Sequence, residues 1–232
     1  MGELVAIAAT TTIGREGEQR RITAIDRSNP DKPVLTLDKP LEFIHWASTE
    51  TYGDDEIDMR AEVGLLSRRV TYRGDPETSA ANEYGATLFL HSPGDDSLTA
   101  RLTYVEFADV GQAFKLGRYA VHFHMIGAVH TSHVKGCATH QSYNRAYTIH
   151  GTHYLTLENN VAFEVKGHNI FIEDAVETHN YIKGNLVMKA MRSWSGLNTD
   201  QTPACFWITN PDNQFIENHA AGSDRYGYWF DL

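Results

Sequence analysis

The sequence predicts an all-β fold, a right-handed parallel β-helix with an N-terminal β-rich cap, and three observations predict it. Short alternating strands recur as Leu88-Phe89-Leu90-His91, Val121-His122-Phe123-His124, Tyr147-Thr148-Ile149-His150, Ile170-Phe171-Ile172-Glu173, Phe206-Trp207-Ile208-Thr209 and Tyr228-Trp229-Phe230-Asp231. Their spacing of roughly 20 to 40 residues is that of solenoid units. After each comes a second pattern, apolar at its start and small or apolar at its finish: Leu102-x-x-Val105-x-Phe107, Val134-x-x-Cys137-x-Thr139, Leu157-x-x-Asn160-x-Ala162, Ile182-x-x-Asn185-x-Val187 and Ile216-x-x-His219-x-Ala221. The third observation is that both sets align type for type, with Cys137, Asn160, Asn185 and His219 in one column. Strands with an apolar face too narrow to close a core gain stability by stacking about 4.8 Å apart. An antiparallel sandwich is the alternative for many short strands, but it does not require the same residue type at the same place in every unit.

In chain order, the runs LVAIAATTT, QRRITAID and PVLTLDKPLEFIHW over residues 3–46 read as antiparallel strands between the turns GREGE and RSNPDKP. They are expected to cover the open end of the helix, where an unpaired rung would template aggregation. ETYGDDE reads as a solvated loop, and IDMRAEVGLLSRRVTYRGD as a first rung with Val63, Leu65, Val70 and Tyr72 inward. This divides the chain into a cap region at 1–60 and the β-helix at 61–232. Residues 74–84 and 92–97 read as polar turns, and no helix is required apart from a turn near Ala190. The largest insertion, 189–203, carries Trp194, either a sugar-stacking platform or, the favoured reading, a hydrophobic plug beneath its own loop.

Basic residues total 20 against 30 acidic ones, a net charge of −10. That disfavours a nucleic-acid partner and asks of any acidic polysaccharide partner a local basic patch. No apolar run approaches the ~18 residues of a membrane span, and no signal-peptide pattern opens the chain. Cys137 and Cys205 fall in different columns, so both are expected as small buried residues rather than as a disulfide.

Aligning the copies puts His91, His124, His150, Glu173, Thr209 and Asp231 in one outward column. Neighbours there lie one rung apart, close enough for imidazoles and a carboxylate to share a metal or pass a proton. The candidate acid and base are therefore His124 or His150 with Glu173. The candidate metal ligands are His91, His124, His150 and Glu173, with the metal, if any, a divalent one of unspecified identity. The competing reading is a histidine stack satisfied by backbone bonds. A parallel column of His122, Thr148, Phe171, Trp207 and Trp229 offers ring faces for sugar, unless a loop covers it. Arg118 and Arg145 precede strands and are candidates for a glycan carboxylate or for solvated rung corners. Asn160 and Asn185 are expected to stack and bond between rungs. No GxSxG, HExxH, CxxC or phosphate-cradling loop is present.

The strings GRYAVHFHMIG, VKGCATHQSYNRAYTIHGTHYLTLENNVAF, GHNIFIEDAVETHNYIKGNLV and TPACFWITNPDNQFIENHAAGSDRYGYWF resemble the fibrocystin family. The region is similar, chiefly over GRYAVHFH, to cell-migration-inducing hyaluronan-binding protein and cell-surface hyaluronidase. The resemblance implies a parallel β-helix following a G8 domain on an extracellular or cell-surface protein, and a chain that is a fragment or a shortened relative. Three functions follow as expectations: a domain binding glycan or protein partners at the cell surface, a hydrolase of hyaluronan-type polysaccharide, or a structural spacer.

Overall fold

The computed structural model describes residues 2–232. Three parallel sheets wrap one interior. The face sheet holds Leu88–His91, Val121–Ala128, Tyr147–His153, Ile170–Ile172, Ala204–Ile208 and Tyr226–Phe230. The corner sheet holds Arg101–Thr103, His133–Lys135, Thr156–Glu158, Tyr181–Lys183 and Gln214–Ile216. The flank sheet holds Val70–Arg73, Val105–Val110, Ala138–Ser142, Val161–Lys166, Leu186–Met191 and His219–Ser223. This is a parallel β-helix, and the face-sheet register is the one the sequence predicts. Phe123 pairs with Ile149, Ile149 with Ile172, and Ile208 with Phe230. Ile149, Ile172 and Ile208 are buried in one core with both cysteines, which are unpaired.

The second pattern, read from the sequence as a single strand, is two strands meeting at a corner. Each corner turns on one left-handed residue: Tyr104, Gly136, Asn159, Gly184 and Glu217, with φ between 52° and 63°. The residue that follows points inward, and there the asparagines form a ladder. Asn160 Oδ1 accepts from Cys137 N–H at 2.9 Å, and its Nδ2 donates to Val134 O and to Asn185 Oδ1, each at 2.9 Å. Asn185 repeats the arrangement on Asn218. The expected last member, His219, is therefore corrected: Ile182 pairs with Phe215 rather than Ile216, and the final rung slips by one residue. Asn180 and Asn213 build a second such ladder at the next corner.

The cap is present as a four-stranded antiparallel sheet of Leu4–Ile7, Glu18–Asp26, Val34–Leu37 and Val63–Leu65, but it lies along the side of the helix, not over its end. The flank strands turn Ala138, Val161, Phe163 and Met188 outward, and Ala6, Ala8 and Leu66 close over them in a separate apolar cluster. Gly64 sits so flat on this face that a Cβ would come within 2.9 Å of Val161 and Met188 side-chain carbons. Arg15 Nε binds Asp224 Oδ1 at 2.7 Å and Arg68 Nε binds Gly136 O at 2.6 Å, fixing the cap at both ends of the flank. Val63 and Leu65, expected inward, belong to the cap and are exposed. Val70 and Tyr72 start the flank sheet, where the edge rung leaves them exposed too.

Three further readings change. Residues 50–56, expected as a loop, form the Thr49–Tyr52 and Asp55–Asp58 hairpin. Within the expected turn at 74–84 lies the helix Pro76–Asn82, with the Asp75 side chain accepting from Thr78 N–H and proline in its first turn, two ordinary start signals. Ala190 lies in a strand, and the turn of the insertion falls instead at Asn198–Gln201.

Candidate functional site

The site lies on the outside of the face sheet, where parallel pairing sets one rung's side chains directly beside the next. His91 pairs with His124 and His124 with His150, and Glu173 follows in the same column through its N–H bond to Ile149 O. The neighbouring column starts at Phe89, whose partner is His122. Phe89, His122, His124, His150 and Glu173 line a cleft of about 340 Å³ together with Leu116, Gly117 and Arg118, and His91 lies outside it.

His122 is 1% exposed at the cleft floor, with Nδ1 2.9 Å from Gly117 O and Nε2 without a partner. Burial pushes its imidazolium down to about 3, so the ring is neutral at ordinary pH. His124 and His150 are half-buried, their Nδ1 atoms 3.0 Å apart. Burial and the neighbouring His150 both lower the pKa of His124. His150 Nε2 lies 2.6 Å from Asp174 Oδ2. The Glu173 Oε2 atom, buried and unpartnered in hydrogen bonding, lies 3.5 Å from His150 Nδ1 and 3.8 Å from His122 Nε2. Burial raises the pKa of this carboxyl above the usual range, against the pull of His150 and Arg145. Tyr119 O–H reaches Glu173 Oε1 at 3.4 Å. One ring nitrogen from each of His122, His124 and His150 lies within 4.8 Å of the others.

His91 stands apart: its Nδ1 binds the carbonyl of His124 at 3.0 Å and the ring is exposed at the edge of the column. Thr209, further along, is tied to Ile172 O, and Asp231 lies on the next rung, its N–H donating to Ile208 O. The aromatic column is covered, not offered to solvent. Phe171 and Trp207 are 4% and 6% exposed, with His168 packed 4.1 Å from the Trp207 ring and Trp229 stacked at 6.0 Å. Arg145 lies over the Phe171 ring, and His168 and Trp229 lie against Trp207, so neither Phe171 nor Trp207 presents a free face to a sugar in this arrangement.

Arg145 explains why the 189–203 loop stays down. It is fully buried, not at a solvated corner. Its Nε and Nη2 bind the Asp200 carboxylate at 3.2 and 3.0 Å, its Nη1 binds Tyr119 O–H at 3.2 Å, and its plane lies 3.6 Å from the Phe171 ring. Asp200 thus plugs the loop into the molecule, whereas Trp194, the expected plug, is 71% exposed beneath the Arg192 guanidinium. Arg118 does reach the cleft, its guanidinium 5.4 Å from the Phe89 ring. A smaller hollow of about 170 Å³, bounded by Phe114, Leu116, Asn144 and the loop, continues from the same rim.

Sequence reasoning missed Phe89, Leu116, Gly117 and Tyr119 as lining residues. Phe89 was legible, since the register that pairs His91 with His124 pairs it with His122. The others reach the site from a connection that carries no repeat. Asp200 had no local signal at all.

Fold and site together define a parallel β-helix protein with an imidazole and carboxylate cleft on one outer face. Residues 85–232 match the CEMIP beta-helix family, and the chain belongs to it. Fibrocystin-L of Mus musculus is 38% identical over 268 residues, covering 100% of this chain and 6% of that protein. Human cell surface hyaluronidase CEMIP2 is 32% identical over 267 residues, 99% of this chain and 19% of the relative. A G8 domain-containing protein of Dictyostelium discoideum is 36% identical over 211 residues, 82% of this chain and 14% of its own. The chain thus spans a small part of each relative's length. Among the described residues no helix is long and apolar enough to cross a membrane.

Proposed function

We propose that this chain is an extracellular or cell-surface β-helix domain whose His122, His124, His150 and Glu173 cleft binds an acidic glycan. The observation that carries the reading is the pair of buried, unpartnered atoms, His122 Nε2 and Glu173 Oε2, facing an open cleft with Arg118 on its rim. Buried polar groups are ordinarily paired, so atoms left unpaired at an open surface point to a ligand. The Arg118 guanidinium suits a uronate carboxylate, the Phe89 ring edge suits the face of a sugar, and the adjoining hollow past Leu116 suits an extended polymer. The name of the human relative, a cell surface hyaluronidase, points to the same ligand class and surface location. Calorimetric titration with hyaluronan oligosaccharides and neutral oligosaccharides of equal length tests this. Selective binding of the uronate series, weakened about 10-fold or more by Arg118→Ala, is expected. Equal binding of both series, or of neither, would sink it.

A second reading, polysaccharide hydrolysis, is favoured by the burial that raises the pKa of Glu173 and so favours the protonated form an acid catalyst needs, with His124 or His150 as the base. Incubation with long hyaluronan and sizing of the products separates the two readings: binding without shortening leaves only the first.

A further inference from the structure

We propose that His122, His124 and His150 hold one divalent first-row transition-metal ion of the zinc type, with Glu173 at or beside its fourth position. This goes beyond the glycan reading, and its geometric basis does not require a glycan.

The first reason is that the protons are already placed. A carbonyl oxygen only accepts, so Gly117 O at 2.9 Å fixes the proton of His122 on Nδ1 and leaves a lone pair on Nε2. The Asp174 carboxylate at 2.6 Å likewise draws the His150 proton to Nε2 and leaves a lone pair on Nδ1. Metal-binding histidines are oriented in this way, by an outer carbonyl or carboxylate on the nitrogen that does not ligate.

The second is spacing. Ligands at about 2.0–2.2 Å from one ion lie roughly 3 to 3.6 Å from each other. His124 Nδ1 to His150 Nδ1 is 3.0 Å, His150 Nδ1 to Glu173 Oε2 is 3.5 Å, and Glu173 Oε2 to His122 Nε2 is 3.8 Å. Three of the edges of one coordination polyhedron are thus close to length before any side chain moves. Two facing Nδ1 atoms at 3.0 Å need a proton or a cation between them, and an ion also satisfies the unpartnered His122 Nε2 and Glu173 Oε2, which a shared proton leaves bare.

The third is donor chemistry. Three imidazoles and one carboxylate favour zinc, nickel, copper or cobalt over calcium or magnesium, which take oxygen ligands. Where Glu173 stands beside the ion rather than on it, the three protein nitrogens leave the fourth position open. His91, counted among the ligands from sequence, drops out because its ring is exposed at the edge of the column, outside the group of His122, His124 and His150 whose nitrogens converge. An ion here also places positive charge on a chain whose net charge is −10.

The test uses the untagged chain, stripped with chelator and titrated with Zn²⁺ by calorimetry and with Co²⁺ by absorption spectroscopy. Saturable binding of one ion per chain is expected, with visible Co²⁺ bands of a nitrogen-rich site. Asp174→Asn, at an exposed residue, should weaken binding about 10- to 100-fold, and His91→Gln should leave it unchanged. His122→Gln and His150→Gln should abolish the one-ion step. Absence of that step or of the Co²⁺ bands in the wild-type chain overturns the proposal without any variant. So does retention of full affinity in a folded His150→Gln chain, or its loss in His91→Gln. Glycan titration of the same stripped and loaded samples is read separately, so failure of the metal site and failure of the glycan reading remain distinguishable.

Discussion

Two columns of polar side chains run up this solenoid, and they are treated oppositely. At the corner, Asn160, Asn185 and Asn218 stack one per rung, and the two buried amides have both side-chain atoms engaged. On the face sheet His124, His150 and Glu173 stack with the same repeat, beside His122, yet His122 Nε2 and Glu173 Oε2 have no hydrogen-bond partner. The fold makes stacks of either kind from the same register. What separates structure from function is whether the stack satisfies itself. An amide is both donor and acceptor, so a column of amides closes on itself and on the corner carbonyls. Imidazoles and a carboxyl group meeting head to head leave His122 Nε2 and Glu173 Oε2 without hydrogen bonds, and the shortfall is what a ligand can fill.

The comparison can be tested first where the expected effect is largest. Behind the histidine column, Arg145→Ala leaves the Asp200 carboxylate buried without its partner and should cost about 3–5 kcal/mol in urea unfolding. It should also release the 189–203 loop, read as faster amide exchange there. A loss below about 1 kcal/mol would mean that the loop is held by something other than this pair. Next, Asn185→Ala removes the acceptor of the Asn160 backbone N–H, one of the two acceptors of Asn160 Nδ2 and the amide donor to Leu157 O, and should cost about 2–4 kcal/mol. Replacing His124 and His150 together with Asn should, by contrast, stay within about 1 kcal/mol of wild type while glycan binding and any turnover are lost. If the double variant is destabilised as much as Asn185→Ala, the histidines are a structural stack and the contrast collapses.

How much of this was legible in the sequence follows the same division. The face-sheet columns could be read because parallel pairing without offset turns a sequence repeat directly into neighbours, and His124, His150 and Glu173 landed together. The corner was harder. One left-handed residue bends the chain within a run that looks like continuous alternation, so two strands were read as one and the last asparagine, Asn218, was passed over for His219. The cap's strands were visible, but their docking site was not. It depends on Val161, Phe163 and Met188 facing outward, and a strand buried on both faces loses the alternation that marks one side as wet. The partnership of Arg145 with Asp200 lay beyond local pattern, because 55 residues and a loop without repeat separate the two.

The smallest expected effect is one of pH, and it separates the two regions by chemistry alone. Burial by itself would raise the Asp200 carboxyl, but the charge and hydrogen bonds of Arg145, with His168, outweigh it and hold the carboxyl below the usual range. Tyr119, bonded to Arg145, also faces this charge and is raised by burial and in part by it. A depressed carboxylate contributes stability that is fully present above its unfolded value, about 3.9, and is lost as pH falls through its folded value. The stability gap between wild type and Asp200→Asn should therefore be constant from pH 7 to about 5 and narrow below about 4. The asparagine ladder has no proton to take up in that range, so the gap between wild type and Asn185→Ala should stay flat through the same window. Urea titrations of the three proteins at matched ionic strength supply both curves. A gap for Asp200→Asn that widens in acid would reverse the sign of the argument. A gap for Asn185→Ala that narrows in parallel would show that acid loosens the whole solenoid rather than the loop anchor.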